Sequence, residues 1–245
     1  MNPEISCPIC KSIEIEFQDH YTHDNEIFKG MTRQKCFSCD LHFAYPMPLE
    51  SSLNKYNISY HQSAHGGQER NLKLQGFFSG ISRTRLNLIN QSIKLDSKKN
   101  YTVLEIGPGP GAFASIWLEQ FPKTKYFAIE TDTSCHEALQ KMNIKLLEEK
   151  EMINYIASFD IIIISHVLEH VSNPVKFLKP IITYLKKDGF MYIEVPCNDW
   201  KYKKILEPHL LFFDKKPMKK LLNKLNVSLL KIGYFGTTIH DSKSI

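Results

Sequence analysis

Between Tyr101 and Phe235 the chain alternates short apolar runs with amphipathic stretches. YTVLEI (101–106) is an apolar run cut short by glycines, which predicts a buried strand rather than a helix. GPGPG follows, and AFASIWLEQF (112–121) has helical spacing. KYFAIE (125–130) predicts a second strand, SCHEALQKM (134–142) a second helix, NIKLL (143–147) a third strand and FDIIII (159–164) a fourth. The turn KKDG precedes a fifth strand, FMYIEV (190–195). MKKLLNKLN (218–226) predicts a helix with Asp214 as its N-cap, and VSLLKIGYF (227–235) one or two closing strands. Upstream, Ile81, Leu86, Leu88, Ile89 and Ile93 mark an amphipathic helix over Phe77 to Ile93. Strands alternating with helices imply a parallel sheet covered on both faces, the doubly wound α/β class.

Residues 1–45 follow a different pattern. They hold CPIC (7–10) and CFSC (36–39) with short alternating segments such as IEIEF between them. Cys7, Cys10, Cys36 and Cys39 form C-x2-C-x25-C-x2-C. Each pair can set two thiolates on one knuckle, and four sulfurs close a tetrahedral shell around a structural Zn2+. Such an ion supplies folding energy that a segment this short cannot draw from its own core. A pair of redox dithiols is the competing reading, but neither motif sits in a thioredoxin-like βαβ unit. Asp40 stands where many zinc knuckles have glycine, and aspartate tolerates the left-handed backbone. Residues 46–76 read as a connector or lid, with YPMPLESS followed by a stretch rich in Tyr and His, and residues 77–245 as the second domain.

The composition is that of an ordinary globular protein, with 42% hydrophobic and 23% charged residues. There is no apolar run of the ~20 residues needed to span a bilayer and no signal-peptide pattern, so the expected location is cytoplasmic. From Val171 onward 14 lysines face six acidic residues, a net +8. That face could meet an anionic partner such as RNA, or serve only as a solvated surface. The composition does not fix the oligomeric state.

The loop VLEIGPGPGAF sets Gly107, Gly109 and Gly111 between a strand and a helix, where a nucleotide-like ligand can approach the backbone. Taken alone it fits both dinucleotide and other adenosine cofactors. Glu130 ends the next strand, where a carboxylate can accept from ribose hydroxyls. Glu105 lies two residues before the first glycine, where it would repel a diphosphate and attract a cationic amino-acid group. VLEIGPGPG, FAIE, FDIIIISHVLEHVSNP and LKKDGFMYIEVP, in that order, resemble the class I S-adenosylmethionine-dependent methyltransferases over roughly Phe77 to Phe235. The resemblance implies a Rossmann-like sheet of seven strands with S-adenosyl-L-methionine across the carboxyl ends of strands one to four. Glu105, Gly107, Gly109 and Gly111 would then form the methionine-side loop, Glu130 would hold the ribose, and Glu148 or Glu149 would mark the adenine side. Ser165 and His166 would border the pocket at the end of strand four.

The cysteine module, followed by a P-x-P and tyrosine-rich connector, is also similar to the architecture of sugar methyltransferases. That similarity implies a small polar acceptor, a sugar or related metabolite in polysaccharide or natural-product biosynthesis. An RNA methyltransferase and a non-catalytic zinc- and cofactor-binding module are the alternatives. An oxygen acceptor needs a base, worth roughly 10²–10⁴-fold. His166 is the candidate, with a pocket-shaping role as the competing reading, and His209 of EPHLLFFD has a family counterpart near the acceptor. Tyr56, Tyr60 and His61 could close over the acceptor, and Trp200 and Tyr202 could line its other edge, although packing explains the aromatics equally well. His166, Glu169, His170 and His209 could together hold a metal, similar to the carboxylate-rich set of some metal-assisted methyltransferases.

Overall fold

A computed structural model describes residues 5–58 and 67–235. The chain divides into two units. One comprises the residues up to Pro48, Leu168–Lys179 and the chain from Val195; the other comprises Leu49–Val167 and Pro180–Glu194.

The second of these contains the α/β layers. Helices α1 (Glu50–Asn57) and α2 (Gly67–Ile93) lead into strand β4 (Thr102–Ile106), helix α3 (Ala112–Gln120), β5 (Lys125–Ile129), α4 (His136–Lys141), β6 (Lys145–Leu146), β7 (Phe159–Ser165), the end of α5 (Pro174–Thr183, its residues up to Lys179 belonging to the other unit) and β8 (Leu185–Glu194). The five strands are parallel, in the order β6-β5-β4-β7-β8. Strand β7 lies between β4 and β8, and Phe159 through Ile164 are all buried, so this stretch shows no polar alternation. On α3, Phe113, Ala114, Ile116 and Trp117 are buried, and they join Leu86 and Ile89 of α2 and Val103 of β4 in one core. Trp117 satisfies its indole N–H by donating to Thr124 Oγ1 at 3.0 Å.

The other unit is built on a four-stranded antiparallel sheet ordered β1-β2-β3-β9, from Ile15–His20, Thr32–Cys36, His42–Tyr45 and Leu211–Phe212. Thus residues from the far end of the chain complete the sheet of the cysteine segment. Helix α6 (Lys215–Lys224) follows; Asp214 caps it by accepting from Lys215 N at 2.6 Å, as the sequence predicts. Pro217, Met218, Leu221 and Leu222 give it a single buried face.

Three expectations are corrected. The described parallel sheet has five strands, not seven. Residues 227–235 form no strand, and Leu229, Leu230, Tyr234 and Phe235 remain exposed; an apolar pattern makes a strand only when a neighbouring ladder accepts it. KKDG does not precede the fifth strand but lies within it: Phe159 pairs with Leu185 and Ile161 with Phe190, so the extra residues form a bulge. Among the described residues, no helix is long and apolar enough to cross a membrane.

Candidate functional site

The parallel sheet reverses its order of growth at β4, with β5 on one side and β7 on the other. Ligands of doubly wound sheets bind outside the carboxyl ends of the strands at such a point. A cleft opens there, lined by Gly107 and Pro108 after β4, Ser165 and His166 after β7, Glu105, and Phe78, Ile81, Ser82 and Arg85 of α2.

Gly107, Gly109 and Gly111 all adopt left-handed backbone, at φ 68°, 56° and 84°. A Cβ on Gly107 would stand 2.5 Å from Val167 Cγ2, and one on Gly111 would collide with Leu139 and Met142. Both positions therefore demand glycine for backbone conformation and for packing within the protein. Gly109 N–H donates to Glu130 Oε2 at 2.8 Å, and Asp132 N–H to Glu130 Oε1 at 2.8 Å. The Glu130 carboxylate thereby ties the glycine loop to the end of β5. A carboxylate has about four acceptor sites, so two remain in principle for ribose hydroxyls.

Glu105 is 3% exposed and accepts from the Tyr126 hydroxyl at 2.7 Å. Burial pushes its carboxyl up to about 7, against the pull of that hydroxyl and of the Arg85 charge. A buried acid on the wall of an open cleft gains a reason to ionise when a cation arrives. Ser165 Oγ is buried on the same wall, with no hydrogen-bond partner among the described residues. Together they suit the ammonium end of an amino-acid-bearing cofactor.

The sequence reading missed the polar group behind His166. Arg85 Nε and Nη2 donate to the two carboxylate oxygens of Glu194 at 2.6 and 2.9 Å, with both side chains buried. Tyr192 donates its hydroxyl to Glu194 at 2.8 Å, and His166 Nε2 lies 3.2 Å from Glu194 Oε1. Although burial raises it, the Arg85 guanidinium and the His166 contact hold the Glu194 carboxyl at about 2. His166 itself has φ 54°, a left-handed turn directly off the end of β7. Arg85 was legible in part: it stands between Ile81 and Ile89 on the apolar stripe of its helix, an unusual place for a charge.

The remaining candidates are dispersed. Glu148 is exposed and engaged in a capping box with Glu151 and an ion pair with Lys150, away from the cleft lining. Tyr56 is half-buried on α1, and Tyr60 and His61 lie outside the described residues. In the unit that carries the cysteines, the Trp200 ring packs 4.8 Å from the His42 ring, with the Arg33 guanidinium 4.0 Å over it. Tyr202 is 52% exposed. His209 Nδ1 meets Asp199 Oδ2 at 2.5 Å.

Cys7, Cys10, Cys36 and Cys39 converge as the spacing predicts: Cys7 and Cys39 sulfurs are 3.6 Å apart, Cys10 and Cys36 sulfurs 3.5 Å. Sulfurs at the Zn–S distance of ~2.3 Å in a tetrahedron stand about 3.8 Å apart, so the set fits zinc with a small expansion. The knuckles close through Lys11 N–H to Cys7 O and Asp40 N–H to Cys36 O, with Lys11 at φ 65° and Asp40 at φ 60°. A hydrogen bond from Cys39 draws the Cys7 thiol down to about 5, while burial pushes Cys36 up to about 11. Sulfurs this crowded ionise together only when a cation neutralises their charge.

A family model described as a methyltransferase domain matches residues 79–231. Among solved structures, the chain is similar to the 1,6-didemethyltoxoflavin-N1-methyltransferase of Burkholderia thailandensis, solved with 1,6-didemethyltoxoflavin and S-adenosylhomocysteine. The two share 16% identity over 84% of this chain and 87% of that one, with a TM-score of 0.51. A possible histamine N-methyltransferase of Thermotoga maritima shares 22% identity over 64% of this chain and 74% of that one, TM-score 0.48. Coclaurine N-methyltransferase shares 19% over 46% of this chain, TM-score 0.39, and the chain spans only 34% of that enzyme's length. At these identities the likeness concerns the fold. No curated protein matches.

Proposed function

We propose, from the premise that this chain belongs to the methyltransferase-domain family and is an S-adenosylmethionine-dependent methyltransferase, that it methylates a hydroxyl of a small polar acceptor, a sugar or related metabolite, with His166 as base. S-Adenosylmethionine, when bound, supplies a methyl group already activated on a sulfonium. Glu105 would hold its ammonium, the backbone of Gly107 to Gly111 its amino-acid end, and Glu130 its ribose. The Cys7, Cys10, Cys36 and Cys39 set would hold a structural Zn2+.

The observation that carries the base assignment is the contact of His166 Nε2 with Glu194, which Arg85 keeps ionised. With its proton on Nε2 and directed at the carboxylate, the imidazole carries its basic lone pair on Nδ1. Nδ1 would take the acceptor proton as the acceptor oxygen takes the methyl group. The resulting imidazolium is stabilised by the buried Glu194 charge, the role a carboxylate plays behind a catalytic histidine elsewhere.

His166→Ala provides the test, read by calorimetry with S-adenosylmethionine and by labelled-methyl transfer to a panel of sugar and polyol acceptors. Cofactor affinity should change little while turnover falls by roughly 10²–10⁴-fold. Undiminished turnover, or a loss that tracks cofactor affinity alone, would remove His166 as base.

A further inference from the structure

Outside the cleft, the unit that carries the cysteines holds a second group of metal-ligating side chains. Strand β7 is followed by a short 3-10 turn, Leu168–His170, which presents Glu169 and His170. His209 comes from the loop before β9, and Leu210 N–H donates to Glu169 O at 2.7 Å, fixing the two segments backbone to backbone. The Tyr21 hydroxyl donates to His209 O at 3.0 Å. One donor atom from each of Glu169, His170 and His209 lies within 4.8 Å of the others.

The burial of this group is unusual. The Glu169 side chain is 1% exposed and that of His170 14%, and the nearest approach of Glu169 Oε1 to His170 Nε2 is 3.8 Å. That is too long for a hydrogen bond. Donors at about 2.1 Å from one ion stand about 3.4 Å apart in a tetrahedron, so 3.8 Å is nearly the edge between two ligands of a common metal. The third corner is prepared by Asp199, which is 2% exposed and holds His209 Nδ1 at 2.5 Å. A carboxylate on one ring nitrogen fixes the tautomer and leaves the other nitrogen as the donor, the usual support behind a metal-bound histidine. Lys203 carries charge nearby, but its Nζ is directed to Glu207 O at 3.4 Å and its burial disfavours the charged form.

We propose that Glu169, His170 and His209 form a two-histidine, one-carboxylate site for a divalent transition ion such as Zn2+, distinct from the four-cysteine set. Imidazole donors select against Mg2+ and Ca2+, which take oxygen. Three protein ligands also leave coordination positions open for an exchangeable one. His166 has no part in this site: its ring is committed to Glu194. Metal binding here is independent of the acceptor and base assigned above, and its test needs no methyl transfer.

The experiment loads full-length protein with one equivalent of Zn2+, which the four thiolates take in preference, then titrates it with Co2+ and follows its visible absorption. One equivalent should bind with the d–d bands of a nitrogen and oxygen site, and no sulfur-to-cobalt charge transfer should develop. His170→Gln and His209→Gln should abolish those bands. Asp199→Asn, which retains all three ligands, should weaken the ion by about 10–100-fold. If the wild type so prepared takes up no cobalt, or takes it up only with a sulfur band, the site does not exist; equal binding in Asp199→Asn would overturn Asp199 as the group that positions His209. The wild-type titration alone can overturn the proposal should either histidine variant fail to fold.

Discussion

Replacing Glu194 by Gln leaves the shape of its surroundings intact but strips the counter-charge from Arg85. The two side chains are 8% and 9% exposed and joined by two charge-assisted hydrogen bonds. Breaking a buried pair by neutralising one partner costs about 3–5 kcal/mol, because the other charge remains in a poorly solvating environment. The titration of Glu194 gives a second value. Its carboxyl sits at about 2 against an ordinary 4.5, and a difference of that size corresponds to about 3 kcal/mol. The sign follows from the depressed value: the stabilisation is complete above pH 4.5 and is lost as pH falls toward 2. Urea unfolding of Glu194→Gln at neutral pH should show a loss near ~3 kcal/mol, and thermal melts a drop of roughly 6–12 °C. Arg85→Met alone should cost a similar amount, while Arg85→Met with Glu194→Met should cost less than either single change, since no charge is left buried. A Glu194→Gln loss under ~1 kcal/mol, or a double variant equal to the sum of the singles, would refute the reasoning.

Glu105 has the opposite linkage. Its carboxyl is raised to about 7, so the ligand-free fold loses stability as pH rises from 4.5 through 7. A cofactor ammonium requires the ionised form; S-adenosylmethionine should therefore bind roughly tenfold tighter at pH 7.5 than at pH 6, and Glu105→Gln should flatten that dependence. Calorimetry across this range decides it, and an unchanged slope in Glu105→Gln would count against Glu105 as the ammonium partner. For the cysteines, metal analysis should find zinc lost in Cys36→Ala, and hydrogen exchange should show β1 to β3 losing protection while β4 and β7 keep theirs. Full protection of those three strands in metal-free protein would contradict a structural ion.

The methyltransferase class and the parallel core were legible in the sequence because each depends on local chain properties. Runs such as VLEI and FDIIII, ended by glycine or polar residues, specify buried strands wherever they sit, and three glycines needing left-handed backbone locate the loop between β4 and α3. The cysteine cluster was legible for the same reason, since two residues between ligands fix a knuckle without reference to the rest of the fold. SHVLEH was not legible. An i, i+3, i+4 spacing would set His166, Glu169 and His170 on one face of a helix, but the backbone turns left-handed at His166 and begins a 3-10 turn at Leu168. That break sends His166 to Glu194 and leaves Glu169 and His170 with His209. Pairs such as Arg85 with Glu194 and β3 with β9 join residues more than a hundred positions apart. No local period encodes such pairings. They are selected by which buried charge needs which counter-charge, and by which strand edge is open when the chain closes.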